Sequence, residues 1–331
     1  MSTSRAIAVL GAGSWGTALA VLTARNGYPT RLWGHDPKHI ARLQQDRCNS
    51  QFLPDIPFPE TLTLHADMEE CVRGVKTILI SVPSHAFVSV GQQLAPFLDP
   101  DACIVWATKG LSQEGKFLST HADELFGQRP YGMLSGPSFA HEIAIKMPTA
   151  VTLASQSKDF SSQVLPYFHC DYFRVYLSDD IIGVQLCGAV KNVLAIATGM
   201  CDGLGYGANT RAALITRGVA ELTRLGIALG ANYKTFMGLA GMGDIILTCT
   251  DNQSRNRRFG LALGHGQSAE EAKTSIGQVV EGAMNAEHVL HLAKQHNIEM
   301  PIIERICAIL SQQQDPKDAV KSLFAREPKW E

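Results

Sequence analysis

Neither sign of charge dominates this sequence. Its 331 residues include 29 lysines and arginines against 31 aspartates and glutamates, a formal net charge of −2. That balance removes the electrostatic case for a nucleic-acid or anionic-membrane partner, although a local basic pocket for a small anion remains open. The eight cysteines form no CxxC pair and show no Cys/His ligand spacing. A zinc site or disulfide framework is therefore not expected, and the cysteines read as reduced cytosolic thiols, mostly small core residues. No apolar run approaches the roughly 18 residues of a membrane span. The N-terminus leads into a strand without the layout of a signal peptide, so a cytoplasmic location is expected. No internal repeat or low-complexity tract stands out.

What is present is an ordinary globular composition, 45% hydrophobic and 18% charged, in a chain long enough for two domains. The most informative stretch is Ala6–Ala20, AIAVLGAGSWGTALA. The apolar run Ala6–Leu10 suits a strand buried on both faces, as in a parallel sheet. Gly11, Gly13 and Gly16 follow at GxGxxG spacing and open a helix. Gly11 suits the tight turn, Gly13 the approach of a pyrophosphate, and Gly16 close packing of helix on strand. The helix start offers free N–H groups to phosphate. A dinucleotide is the expected ligand; the bland alternative is an ordinary strand–helix turn.

Further along, Thr17–Arg25 reads as a helix and Thr30–Trp33 as the second strand. The end of that strand faces the adenosine ribose in this fold. His35 holds the contact position and Asp36 follows, a mix that reads as NADPH-competent with NAD left open. Lys38–Arg47 reads as a helix, Cys48–Glu60 as a proline-rich loop, Leu62–Leu64 as a strand, and Asp67–Val72 as a short helix capped by Asp67. Strands are expected at Thr77–Val82, Cys103–Ala107, Tyr131–Leu134, Thr149–Ala154 and Phe173–Tyr176, and a helix at Ala86–Phe97. The alternation predicts a doubly wound α/β sheet over residues 1–178. Polar and glycine-rich turns gather at the strand ends, where open α/β sheets bind ligands. From Ser178 strand signals stop, and residues 179–331 read as an all-α domain. Its helices are expected at Ile181–Met200, Thr210–Leu229, Ala283–His296 and Pro301–Gln313. A last one starts at Asp315-Pro316.

Within the first long helix, Lys191 lies among Leu186, Val190, Val193 and Leu194. It is either a snorkelling lysine or one whose surroundings draw its proton affinity towards neutrality for acid–base work. Gly241-Met242-Gly243-Asp244 places an acid after two flexible glycines. Ser254-Arg255-Asn256 sets a hydroxyl, a guanidinium and an amide side by side, a set able to bind an anion or to serve as a turn or cap.

These residues sit in a series of segments: GAGSWGTALA near the start, ATKGL at Ala107–Leu111, LSGPSFA at Leu134–Ala140 and GAVKNVLAIATG at Gly188–Gly199. GLAGMGDIILTC at Gly238–Cys249, SRNRRFG at Ser254–Gly260 and VVEG at Val279–Gly282 follow. In that order and spacing, the chain resembles the bacterial NAD(P)-dependent sn-glycerol-3-phosphate dehydrogenases. The resemblance implies a Rossmann-type NAD(P)-binding domain, a helical substrate-binding domain and a homodimer. It also implies interconversion of dihydroxyacetone phosphate and sn-glycerol 3-phosphate for phospholipid synthesis.

Position by position, Ser14 and Trp15 join Gly11, Gly13 and Gly16 as cofactor contacts. His35 falls near the adenosine end, and Ala140, Arg255, Val279 and Glu281 are further cofactor contacts. Lys109 matches a lysine at the junction of cofactor and substrate, with Gly136 and Ser138 on the substrate side. Lys191 matches the catalytic lysine, and Asp244, Ser254, Arg255 and Asn256 the substrate pocket. No metal is implied. The competing readings are a related two-domain dehydrogenase for a hydroxyacyl or sugar-phosphate substrate, and a catalytically silent dinucleotide sensor.

Overall fold

The computed structural model describes residues 5–325. It divides into two compact units, Met1–Ser112 with Lys116–Ile181, and Gln113–Gly115 with Ile182–Glu331.

The first unit is built on an eight-stranded sheet. Its strands are β1 (Ile7–Leu10), β2 (Thr30–Trp33), β5 (Leu62–His65), β6 (Thr77–Ile80), β7 (Cys103–Trp106), β8 (Tyr131–Ser135), β9 (Thr149–Ala154) and β10 (Phe173–Ser178), in the order β10-β9-β8-β7-β6-β1-β2-β5. β1, β6 and β7 are four-residue apolar runs buried along their whole length, as a parallel sheet covered on both faces requires. From β1 the chain builds outward through β2 to β5, then returns to the other side of β1 with β6. The order therefore reverses at β1, and the crevice at that reversal is where such sheets take ligands. β8 and β9 pair antiparallel, so β9 and β10 run against the other six strands.

The proline-rich stretch expected as a loop over Cys48–Glu60 instead holds a two-stranded antiparallel ribbon, β3 (Cys48–Asn49) and β4 (Leu53–Pro57). Leu53 and Ile56 tie it to the core, which outweighs the proline signal. In this unit three helices carried no sequence expectation: Leu118–Phe126, Ala140–Ala144 and Lys158–Phe168, the last with Pro166 in its interior. Elsewhere the caps act as their residue types suggest. The Asp67 carboxylate accepts the Glu70 N–H at 2.8 Å at the head of Met68–Val72, and Asp315 accepts that of Lys317 at 2.8 Å.

The second unit is helical, with no strand among its described residues. Its long helices are Ile181–Gly203, Ala208–Ala228 and Glu281–Gln295. The first of these corrects the expectation on apolar runs. By length and composition it could cross a membrane, yet 94% of its most apolar window is buried inside the fold, so it serves as the core helix of this unit. It meets Arg255–Gly264 backbone to backbone. A Cβ on Gly199 would strike the carbonyl of Arg257, and one on Gly260 that of Ile196; Gly203 and Gly264 face each other one turn further on. Behind them, Glu221 on Ala208–Ala228 accepts the Ile302 N–H at 3.0 Å and caps the helix Pro301–Leu310. Burial raises its carboxyl to about 7, against the pull of that backbone bond.

Candidate functional site

At the end of β1 the chain turns through Gly11, whose φ is +121° and whose N–H bonds to the Trp33 carbonyl at 2.9 Å. A side chain at Gly11 or Gly16 would collide with backbone, at Ser81 and Gly11 respectively, whereas one at Gly13 would meet nothing within 4 Å. Gly11 and Gly16 thus pack the turn, and Gly13 leaves open the face that a ligand can approach. The helix Ser14–Arg25 starts at Gly13 with no side-chain cap, which leaves its first N–H groups available to an anion. The Trp15 indole nitrogen is buried with no hydrogen-bond partner among the described residues. This cradle fits a dinucleotide pyrophosphate. Asn49 braces it from the ribbon, donating to the Ala12 carbonyl at 3.0 Å and the Thr17 hydroxyl at 2.8 Å. No sequence signal pointed to Asn49, which lay in the stretch read as loop.

Beyond β2, His35 is exposed. The Asp36 carboxylate accepts the Lys38 N–H at 2.9 Å, capping the helix Pro37–Asp46, and that bond holds its carboxyl below the usual range. His65, paired with Trp33 across β2 and β5, is lowered in pKa by burial and then by Arg31.

Lys109 follows β7 and donates to the Gly136 carbonyl at 3.1 Å, the same oxygen that takes the Ser138 hydroxyl at 2.8 Å. Gly136 has φ +144°, and a Cβ there would press on the Val151 backbone. Ala140 opens Ala140–Ala144 and, like Trp15, packs against the core of this unit. All of these groups lie beyond the ends of β7 and β8. A shallow cleft lined by Pro100, Asp101 and residues 126–130 lies at the opposite edge of the sheet, where those strands begin, and gathers no such groups.

In the helical unit the Lys191 ammonium donates to Asp244 Oδ1 at 2.7 Å and to the Thr248 hydroxyl at 3.1 Å. The Thr248 hydroxyl donates in turn to the Asp244 carbonyl at 2.6 Å. Lys191 is 7% exposed and Asp244 1%. A cation so placed needs its partner, because an unpaired buried charge costs several kcal/mol. The snorkelling alternative for Lys191 is set aside: its ammonium is directed to Asp244. Asp244 heads the helix Asp244–Thr250 after a π-helical turn, Leu239–Gly243, in which the Gly243 N–H reaches the Gly238 carbonyl at 3.1 Å. The glycines before it were read as flexible. Gly241 is instead buried with its Cα against the Phe236 backbone, where no side chain fits.

Ser254 caps Arg255–Gly264, accepting the Arg257 N–H at 3.2 Å. Asn256 is engaged at both ends, donating to Asn192 Oδ1 at 3.0 Å and accepting the Gly282 N–H at 2.8 Å. It thereby links the Lys191 helix to the Val279–Gly282 segment. Arg255 is half-buried and reaches Gln278 Oε1 at 3.2 Å, next to the exposed Val279. Glu281 opens the helix Glu281–Gln295. Arg257 is buried and braces the whole, donating to the Cys249 carbonyl at 3.1 Å and bonding Asn252 and Asp202. Thr248, Asn192, Arg257 and Gln278 escaped sequence reasoning. Two signals existed: Thr248 stands one helical turn after Asp244, and Arg257 is a charge on the apolar side of its helix.

Two family models cover most of the chain. The NAD-dependent glycerol-3-phosphate dehydrogenase N-terminus matches residues 6–161, and the C-terminus of the same enzyme matches residues 180–321. A glycerol-3-phosphate dehydrogenase (NAD(P)+) of Tolumonas auensis is 54% identical over 334 residues, with both chains fully covered. One of Yersinia pestis is 55% identical over 328 residues, covering 98% of this chain and 97% of its own. Among solved structures, the glycerol-3-phosphate dehydrogenase of Coxiella burnetii superposes with a TM-score of 0.95 at 49% identity, covering 97% of this chain and 99% of that one. A ketopantoate reductase from Ralstonia eutropha shares the fold alone, with a TM-score of 0.61 at 15% identity. The chain belongs to the NAD-dependent glycerol-3-phosphate dehydrogenase family.

Proposed function

We propose that this enzyme reduces dihydroxyacetone phosphate to sn-glycerol 3-phosphate, and runs the reverse reaction, with NADPH preferred over NADH. The observation that carries the reading is the buried Lys191–Asp244–Thr248 cluster, in a chain 54% identical along its full length to an enzyme of that name. Residues 1–178 are the cofactor domain and residues 179–331 the substrate domain. Gly11, Gly13, Ser14, Trp15 and Gly16 hold the pyrophosphate, and the orphaned Trp15 N–H gains its partner there. His35 meets the adenosine end; with Asp36 committed to its helix cap, no carboxylate at this turn selects a free ribose hydroxyl, which supports NADPH. Lys109, Ala140, Arg255, Val279 and Glu281 complete the cofactor contacts.

A bound nicotinamide supplies or accepts the hydride. The protein's part is the proton. In reduction the Lys191 ammonium donates to the carbonyl oxygen as negative charge builds on it; in oxidation the neutral amine takes the hydroxyl proton. Asp244 and Thr248 fix the direction of that ammonium. Lys109 adds positive potential, with Gly136 and Ser138 beside it on the substrate side. Ser254, Arg255 and Asn256 hold the phosphate, so that binding energy far from the reacting carbon positions it. The product serves phospholipid synthesis. A cytoplasmic location is supported by eight cysteines with no disulfide among the described residues. A homodimer belongs to the same reading, and Tyr233 and Met237, exposed one helical turn apart, are apolar surface it could cover.

The test is steady-state reduction of dihydroxyacetone phosphate with each cofactor. Turnover with a lower KM for NADPH is expected. Cofactor binding without turnover overturns the reaction, and a lower KM for NADH overturns the reading of His35 and Asp36.

A further inference from the structure

We propose that His121 is a positioning residue for Lys109, acting through Ser112 from the helix Leu118–Phe126. The proposal rests on the role given above to Lys109. The chain after β7 is fastened at two points with Lys109 between them. Upstream, the Thr108 hydroxyl donates to the Val82 carbonyl at 2.7 Å. Downstream, a loop from Ser112 to Lys116 is closed on itself: the Ser112 N–H donates to the Lys116 carbonyl at 3.0 Å, and the Lys116 N–H donates back to the Ser112 hydroxyl at 3.2 Å. That hydroxyl also lies 3.0 Å from His121 Nε2, while His121 Nδ1 faces Glu124 Oε2 at 3.4 Å.

The Ser112 hydroxyl links the His121 ring to the main chain of Lys116 in a consistent bonding pattern. With Nε2 accepting the Ser112 O–H, the serine oxygen accepts the Lys116 N–H. Ser112 and His121 are 1% and 3% exposed, so water does not compete for the bond between them, whereas the Glu124 side chain beside Nδ1 is exposed. Gly110, at φ +125°, stands between Lys109 and this anchor. A glycine there gives the segment the freedom to swing, and the fastening at Ser112 removes it. The ammonium of a long, flexible side chain is only as well placed as the backbone that carries it, and an error of about 1 Å at a catalytic group can cost on the order of 100-fold.

The bland alternative is a core histidine that serves the fold alone. A double-mutant cycle separates the two. His121→Ala and Lys109→Ala are made singly and together, and dihydroxyacetone phosphate reduction and Tm are measured. Expected is a fall of about 10-fold in kcat/KM for His121→Ala when Lys109 is present, and under about 2-fold when Lys109 is already alanine, since residues that act as a unit are not additive. His121→Gln, whose amide oxygen can still accept the serine hydroxyl, should restore most of the loss. An equal loss in both Lys109 backgrounds overturns the proposal while leaving the role of Lys109 intact. If Lys109→Ala alone is silent, the role of Lys109 fails and the proposal falls with it. Should His121→Ala not fold, Ser112→Ala removes only the hydroxyl and runs through the same cycle with the same outcomes.

Discussion

The two units prepare for a ligand in opposite ways. At the end of β1 the α/β unit offers chiefly main chain: an uncapped helix start and a glycine facing open space, with one side-chain donor, the Trp15 indole N–H, that has no partner among the described residues. The helical unit offers side chains, and it has already paired them: Lys191 with Asp244 and Thr248, Asn256 with Asn192 and Gly282. A pyrophosphate is a fixed polyanion, so permanent backbone dipoles suit it. A proton donor must change its own charge during the reaction, so it needs a partner that holds it in place in either state.

The sharpest way to break this comparison is Lys191→Met. If Lys191 is the proton donor proposed above, its loss should lower kcat by about 10³-fold or more, while a fluorescence titration still finds the cofactor bound with near-normal affinity. Loss of both together would mean the two preparations are not separable. Gly16→Ala is the converse. Its Cβ would be driven into the Gly11 carbonyl, so cofactor Kd should rise by roughly 100-fold, about 2.7 kcal/mol. Melting of the helical unit should stay unchanged; an unaffected Kd would remove the main-chain cradle from the argument.

Glu221 sharpens the contrast with Asp244, being a buried carboxyl held by backbone N–H rather than by a buried cation. Its carboxyl is raised from 4.5 to about 7 by burial. The folded state therefore binds its proton more tightly than the unfolded chain does. Stability falls as pH rises from about 4.5 to 7 and is flat above, by an amount on the order of 3 kcal/mol. Glu221→Gln should flatten that slope in urea melts and stabilise the protein at pH 8 by about 1–3 kcal/mol. A variant with the wild-type slope would assign the pH dependence elsewhere. The smallest effect is expected of Ser254→Ala, which removes a helix cap worth about 1 kcal/mol. A change in Tm without a change in KM for the phosphorylated substrate would assign Ser254 to the fold alone.

Legibility followed the same division. Thr30–Trp33 and Thr149–Ala154 run from the first to the last residue expected, because a short apolar run between turns has few other ways to fold. The GxGxxG turn was readable because backbone geometry leaves its mark as glycine. Lys191 drew notice as a charge in an apolar helix, yet nothing local pairs it with a carboxylate 53 residues away; the family resemblance named Asp244, and only the packing supplied Thr248. The ribbon at Cys48–Pro57 was hidden by its own prolines. The helix Lys158–Phe168 holds a proline that sequence rules treat as a stop.

The seam where Gly199 and Gly203 meet Gly260 and Gly264 sets a dimension rather than a contact. Most helix pairs are separated by a layer of side chains, which absorbs error: a methyl lost here is taken up by a rotamer there. This pair has no cushion. Lys191 lies about 12 Å up one helix from Gly199, and Arg255 about 7.5 Å up the other from Gly260. Their separation is thus ruled off from peptide geometry itself, which has no adjustable parts. A lineage could retune almost any other spacing in this unit by small steps through Ala, Val and Leu. Here the first step, a single methyl, already forces the backbones apart, so the gauge between the Lys191 ammonium and the Arg255 guanidinium is not open to gradual revision.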